Sequence, residues 1–177
     1  SFNSSGSNTL SETNNLKSNI INNLNYTENY ITSLGLSNNL NINFKNLNSL
    51  GKKNTNYKSS PQIELVGLFE ANTSLPLIKE NQEYANYLTP KISFRFNPSD
   101  MRDNSSSSKT ISVGNIFALN RLGLSDTFES GRSLTLGVNY KKERKNLDDI
   151  NKFFKFDLGT VIRDKKEKFI PTSSTIN

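Results

Sequence analysis

The sequence predicts an all-β fold, an antiparallel up-and-down meander of about six long strands. Three observations lead there. Helical periodicity is nearly absent, while apolar and polar residues alternate with period two in one stretch after another. Only 33% of residues are apolar, against about 45–50% in a globular domain. The links between the alternating runs are by turns short and long.

The runs follow in order. The first, near 18–34, is the least regular, because its apolar residues change phase at Ile20-Ile21. In the second, near 38–47, Leu40, Ile42 and Phe44 alternate with Asn41, Asn43 and Lys45. The third, near 62–77, sets Ile63, Leu65 and Phe69 against Glu64 and Glu70, but Val66 and Leu68 interrupt its polar side. The fourth, near 85–97, places Ile92, Phe94 and Phe96 opposite Lys91, Ser93 and Arg95. The fifth, near 132–143, places Leu134, Leu136, Val138 and Tyr140 opposite Ser133, Thr135 and Asn139. The sixth, near 152–163, places Phe154, Phe156, Leu158 and Ile162 opposite Lys155, Asp157 and Arg163. Polar loops are expected at 46–60 and 97–131, and short turns near 34–40, 78–83 and 145–151.

Strands of roughly 9–13 residues suit a tilted crossing of a bilayer, whereas globular strands usually run about five or six. Short turns at one end and long loops at the other are the habit of outer-membrane barrels. The expectation is therefore an incomplete segment of a large transmembrane β-barrel, since about eight strands are the minimum for closure. In that reading Ile92, Phe94, Phe96, Leu134, Leu136, Val138, Tyr140, Phe154, Phe156, Leu158 and Ile162 face lipid. Lys91, Ser93, Arg95, Ser133, Thr135, Asn139, Lys155, Asp157 and Arg163 face the lumen. Tyr84, Tyr140 and Phe154 fall at one membrane boundary, as an aromatic girdle would. The bland alternative is that aromatics simply favour strands.

Composition removes several chemistries. Asn fills 28 positions and Ser 24, and there is no Cys, His or Trp. Disulfides, thiolate nucleophiles, His-based triads and Cys- or His-ligated metals are excluded. Asp148-Asp149 and Asp100/Asp103 are the obvious carboxylate pairs, but adjacent Asp residues sit readily in turns. No catalytic residue, cofactor or metal site is expected, and the chain is not read as an enzyme. The +6 charge is spread along the chain, and the Lys/Asn excess fits biased base composition, so no nucleic-acid partner is expected. The longest mostly apolar run, Ile63 to Phe69, is too short for a spanning helix. Ser1 opens without a leader, and the chain is expected to be a piece of a longer protein.

Ordered pieces add a resemblance. They are Leu75-Pro-Leu-Ile78, Leu88-Thr-Pro-Lys91, Asn97-Pro98, Asn115-Ile-Phe-Ala-Leu-Asn-Arg-Leu122, Asp126, Glu129 and Gly131. Ser133-Leu-Thr-Leu-Gly-Val-Asn-Tyr140, Phe156-Asp-Leu-Gly-Thr-Val-Ile-Arg163 and Pro171-Thr-Ser-Ser174 follow. In this order they resemble the barrel domain of the LptD family of lipopolysaccharide-assembly proteins, most clearly from about Ser60 onward. The resemblance implies a Gram-negative outer-membrane barrel that passes lipopolysaccharide into the outer leaflet through a seam between its first and last strands. Its implied partners are an LptE-type lipoprotein plug in the lumen, outer-membrane lipid, and periplasmic lipopolysaccharide-bridge proteins reached through an N-terminal domain. The family's jelly-roll domain, seam strands and cysteines are not expected in this segment. The polar row then either contacts plug and head group or is a solvated inner wall.

The external-loop motif comprises Asn115, Phe117, Asn120, Arg121, Glu129 and Gly131, and the stretch Asn115 to Leu122 is apolar for an external loop. Ile116, Phe117 and Leu119 are expected to fold over or into the barrel mouth, fixed by Asn120 and Arg121. The alternative is a strand extending above the membrane. Two rival functions remain, another outer-membrane pore or transporter barrel, and a secreted soluble β-sandwich that binds glycans or acts as an adhesin. The sandwich requires the apolar rows to pack against a second sheet within the chain.

Overall fold

The computed structural model describes residues 1–11, 14–53, 58–124, 127–145 and 153–174. They form one antiparallel sheet and no helix. Its strands are β1 (Phe2–Leu10), β2 (Leu16–Ile31), β3 (Ser37–Lys52), β4 (Gln62–Ser74), β5 (Leu77–Glu80), β6 (Tyr84–Asn97), β7 (Gly131–Arg144) and β8 (Phe153–Arg163). The spatial order is β1-β2-β3-β4-β6-β7-β8, with β5 pairing to β6 just beyond β4. The sheet is an up-and-down meander, and β1 and β8 do not pair, so it is not closed into a barrel. The two-sheet packing of a sandwich is not formed among the described residues.

Eight strands replace the expected six, for readable reasons. β1 pairs along its whole length with β2, from Phe2↔Leu24 to Leu10↔Leu16. Its sequence, Phe-Asn-Ser-Ser-Gly-Ser-Asn-Thr-Leu, carries no apolar row because both its faces are exposed. Backbone pairing and Ser–Asn contacts such as Ser4 Oγ to Asn22 Oδ1 (2.6 Å) hold it. β5 lies partly in the expected 78–83 turn. It is cut from β4 by Leu75-Pro76, where proline has no N–H to give to a ladder. β3 runs to Lys52, well into the expected 46–60 loop, in register with β2 down to Leu16↔Lys52. β2 ends at Ile31, and Gly35 turns the chain at φ 80°, a conformation glycine adopts without penalty.

Direct cross-strand partners share a face, so the register divides the side chains. Asn43↔Leu68, Glu70↔Arg95, Arg95↔Ser133 and Ser133↔Arg163 define a polar face. Ile42↔Phe69, Phe69↔Phe96, Phe94↔Leu134 and Leu134↔Ile162 define the other, apolar one. The segments 98–130 and 164–174 pack together on the polar face. Asn104 N donates to Phe169 O at 3.1 Å, and Ile111 N to Ser174 Oγ at 3.0 Å. Met101, Ile111, Ile116, Leu122 and Ile170 form one small core there; Leu47, Val66, Leu68 and Phe128 form a second. Among the described residues no such core forms on the apolar face.

Candidate functional site

The polar face beneath the 98–130 loop holds the only dense set of buried charges among the described residues. β6 contributes Ser93, Arg95 and Asn97; β7 contributes Ser133 and Thr135; β8 contributes Arg163; and β4 contributes Glu70. The loop returns Arg121 and Glu129 onto them. Glu129 receives three guanidinium groups. Arg95 Nη1 lies 3.2 Å from Oε2, Arg121 Nη1 3.0 Å from Oε2, and Arg163 Nε 2.8 Å from Oε1. Arg121 also donates to Ile116 O at 2.8 Å, Ser133 Oγ at 3.2 Å and Thr135 Oγ1 at 2.7 Å. Asn97 Nδ2 donates to the carbonyls of Phe128 and Glu129 at 3.3 and 3.1 Å, which fixes the backbone that carries the carboxylate. Glu70, fully buried, accepts from Asn41 Nδ2 at 3.3 Å and Ser93 Oγ at 3.5 Å.

Two glycines make room for the loop. Gly137 and Gly159 are direct partners on β7 and β8 and lie on the polar face. A methyl group on Gly137 would sit 2.8 Å from Phe117 Cε2 and 2.9 Å from the carbonyl oxygen of Leu158. One on Gly159 would collide with Ile116 Cδ1. Ile116 and Phe117 therefore rest directly on backbone. Lys91 Nζ lies 5.7 Å from the Phe117 ring centroid, and Lys45 Nζ 4.4 Å from that of Phe128.

The loop motif acts as a unit. Asn115 Nδ2 donates to Thr110 O at 2.7 Å while its Oδ1 accepts from Ser112 N at 2.8 Å. Asn120 Nδ2 donates to Leu124 O at 2.6 Å. Gly131 starts β7 at φ 78°. Ile116 and Phe117 lie on the polar face of the open sheet, against Gly159 and Gly137, and Ile116 is fully buried. Of the nine polar-row residues, Arg95, Ser133, Thr135 and Arg163 meet this loop rather than water, and Ser93 is buried against Glu70 of β4. Asn139, Lys155 and Asp157 form a separate group, with Asn139 Nδ2 donating to Asp157 Oδ1 and Lys155 Nζ 2.9 Å from Asp157 Oδ2. Glu70, Asn97, Gly137 and Gly159 were not anticipated. Glu70 was legible only as a polar-side residue, and the glycines only as gaps in the alternation. Asp103 accepts from Ser105 N (2.9 Å) and Ser105 Oγ (2.7 Å), the pattern of a turn cap, and these bonds hold its carboxyl below the usual range. Asp148-Asp149 and Asp126 lie outside the described residues.

Burial alone would push the Glu129 carboxyl up, but Arg121, Arg95 and Arg163 together outweigh it and hold the group below its ordinary value. Burial pushes the Arg121 guanidinium down, with Glu129 opposing. A carboxyl depressed in the docked state contributes stability above its undocked pKa, about 4.3. That contribution fades as pH falls through the lower, docked value. Pepsin cleavage within 98–130 is expected to stay slow near pH 5 and to accelerate below about pH 4. Cleavage with the same rate at both, after correction for pepsin's own pH profile, would contradict the assignment.

The eleven apolar residues all lie on the opposite face. Phe154, Leu158 and Ile162 are 60, 58 and 54% exposed, and Ile92, Phe94, Phe96, Leu136 and Phe156 are exposed as well. Tyr26, Tyr30, Tyr84, Tyr140 and Phe154 collect on this face toward the end that carries the 32–36 and 81–83 links. Tyr140 and Phe154 pack in a tilted arrangement with ring centroids 6.2 Å apart, and Lys142 Nζ lies 4.3 Å from the Tyr84 ring centroid. Comparison with protein-family models, curated proteins and solved structures returns no match to this chain.

Proposed function

We propose that the chain is a stretch of the wall of an outer-membrane barrel that assembles lipopolysaccharide into the outer leaflet, a lipid-transport role without catalysis. One observation carries the reading. Among the described residues, a single two-faced sheet leaves most of its apolar face exposed while its own loop packs on the polar face. An apolar face this extensive needs an apolar neighbour. The row of tyrosines and Phe154 at one end is what an interfacial girdle requires. The link lengths support the orientation, with turns 32–36 and 81–83 at that end and the 98–130 loop at the other. Lipopolysaccharide as cargo, an LptE-type plug in the lumen, and periplasmic bridge proteins feeding the barrel come from the ordered motifs between Leu75 and Ser174. A general pore would share the sheet but not the cargo.

Depletion of the protein in its own cell tests both. The expected result is a fall in lipopolysaccharide reachable by a membrane-impermeant label, with the lipid retained inside the cell. Unchanged surface lipopolysaccharide with altered solute permeability would favour the pore. A fluorophore at Leu136 or Phe156 is expected to be quenched by brominated lipid, and one at Asn139 is not.

A further inference from the structure

The two faces of the sheet treat their lysines differently at the end that carries the 81–83 turn. On the polar face the lysines there stand beside carboxylates. Lys141 pairs with Glu143, Lys145 Nζ lies 2.6 Å from Glu80 Oε2, and Lys155 Nζ lies 2.9 Å from Asp157 Oδ2. On the apolar face the register aligns Lys79, Asn86 and Lys142 directly across β5, β6 and β7. Both of these lysines are exposed, and neither makes an ion pair among the described residues. Register and parity place no Asp or Glu on this face of β5, β6, β7 or β8. Glu83 sits in the turn, where its carbonyl accepts from Lys145 N at 2.8 Å.

The surroundings are those of a boundary between polar and apolar media. Next-but-one strands lie about 10 Å apart, so Lys79 and Lys142 flank Asn86 from both sides. The amide between them is pinned. Its Nδ2 donates to Lys79 O at 3.2 Å, and its Oδ1 accepts from Tyr140 Oη at 3.0 Å. Lys142 Nζ lies over the Tyr84 ring. One step toward the middle of the strands, Leu77 and Leu88 are opposite one another and exposed, and they begin the apolar row. Lysine stems lie readily along such a row and hold their ammonium groups at its polar edge.

We infer that this patch holds the phosphate of an anionic glycerophospholipid, with its acyl chains along Leu77 and Leu88. The inference rests on the membrane reading proposed above and names the lipid at one place on it. The charge pattern selects the occupant. Two unmatched ammonium groups on either side of a neutral amide complement a phosphodiester that carries no cation of its own. A zwitterionic lipid brings its own ammonium group into the patch and gains less. The patch lies at the opposite end of the strands from the 98–130 loop. It therefore addresses the leaflet on the short-turn side, not the one that receives lipopolysaccharide.

The test uses the complete protein in nanodiscs of phosphatidylcholine with a minor share of phosphatidylglycerol, and a fluorophore at Leu88. Bromine is carried on the acyl chains of one lipid or of the other. Brominated phosphatidylglycerol is expected to quench as though enriched about fivefold over its bulk share, the usual effect of a lysine near an anionic surface. Lys79→Gln/Lys142→Gln alters only exposed side chains and is expected to abolish the enrichment. A fluorophore at Phe94, farther along β6, is expected to show none in either protein. Quenching at Leu88 by both lipids at their bulk shares, the result if the patch takes an acidic protein segment instead, overturns the proposal and leaves the membrane reading standing. Enrichment that the double variant retains does the same. Absence of quenching by either lipid overturns the membrane reading and this proposal with it.

Discussion

Replacing Glu129 with Ala is expected to release the 98–130 loop from the sheet, at a cost of about 3–5 kcal/mol, the usual penalty for removing one partner of a buried ion cluster. The size of the effect follows from what remains. Arg95, Arg121 and Arg163 would stay close together in a buried site with Glu70 as the remaining carboxylate, and Glu70 is engaged by Asn41 and Ser93. Each arginine would lose a charge-assisted hydrogen bond of 2.8–3.2 Å. The opposite deletion, Arg121→Leu, should cost less despite losing more hydrogen bonds. Glu129 would keep two guanidiniums, and one like-charge repulsion would disappear. Tryptic cleavage after Arg102 and Lys109, sites that both variants retain, reads both in the intact protein in detergent. The expected order of cleavage rates is Glu129→Ala fastest, Arg121→Leu intermediate, wild type slowest. Equal rates for the two variants would mean that the carboxylate is not the hub. The cluster is not claimed as net stabilisation, since an apolar core of the same volume often does as well. Its effect is to specify where the loop lands.

The division of the sheet into faces was legible because each residue's side is fixed by parity alone. Ile92, Phe94, Leu134, Leu136, Phe154 and Phe156 fall on one face as the alternation requires. The irregularities were equally informative, though their meaning lies in contacts far apart in the sequence. Ile20 and Ile21 break phase because Ile20 lies on the exposed apolar face while Ile21 packs against the Leu47, Val66, Leu68 and Phe128 core. Val66 and Leu68 interrupt the polar side of β4, and Leu47 interrupts that of β3, for the same reason. They are the footprint of Phe128. The ion cluster was not legible, because Arg95 and Glu129 are 34 residues apart and nothing local marks one as the partner of the other. β1 was invisible because a strand exposed on both faces has no hydrophobic period to display.

A second expected result concerns the glycine pair. Gly159→Ala should weaken loop docking by about 1–3 kcal/mol, the usual cost of overpacking. The new methyl would overlap Ile116 Cδ1, and Ile116 is fully buried among Met101, Ile111, Leu122 and Ile170, so its side chain has no space to swing into. Ile116→Val removes that same carbon and alone costs about 1 kcal/mol. The two changes should therefore compensate. The double variant should dock its loop better than the sum of the singles predicts, by about 0.5–3 kcal/mol of coupling. Gly137 cannot be rescued in this way. A methyl there meets the Phe117 ring and also the Leu158 carbonyl, 2.9 Å away and held in the β7–β8 ladder. Gly137→Ala should therefore stay destabilising when combined with Phe117→Leu, because trimming the ring leaves the carbonyl contact in place. Proteolytic rates within 98–130, converted to opening free energies across both cycles, separate the two glycines. Strict additivity in the Gly159–Ile116 cycle would show that the loop does not rest on the sheet at that point.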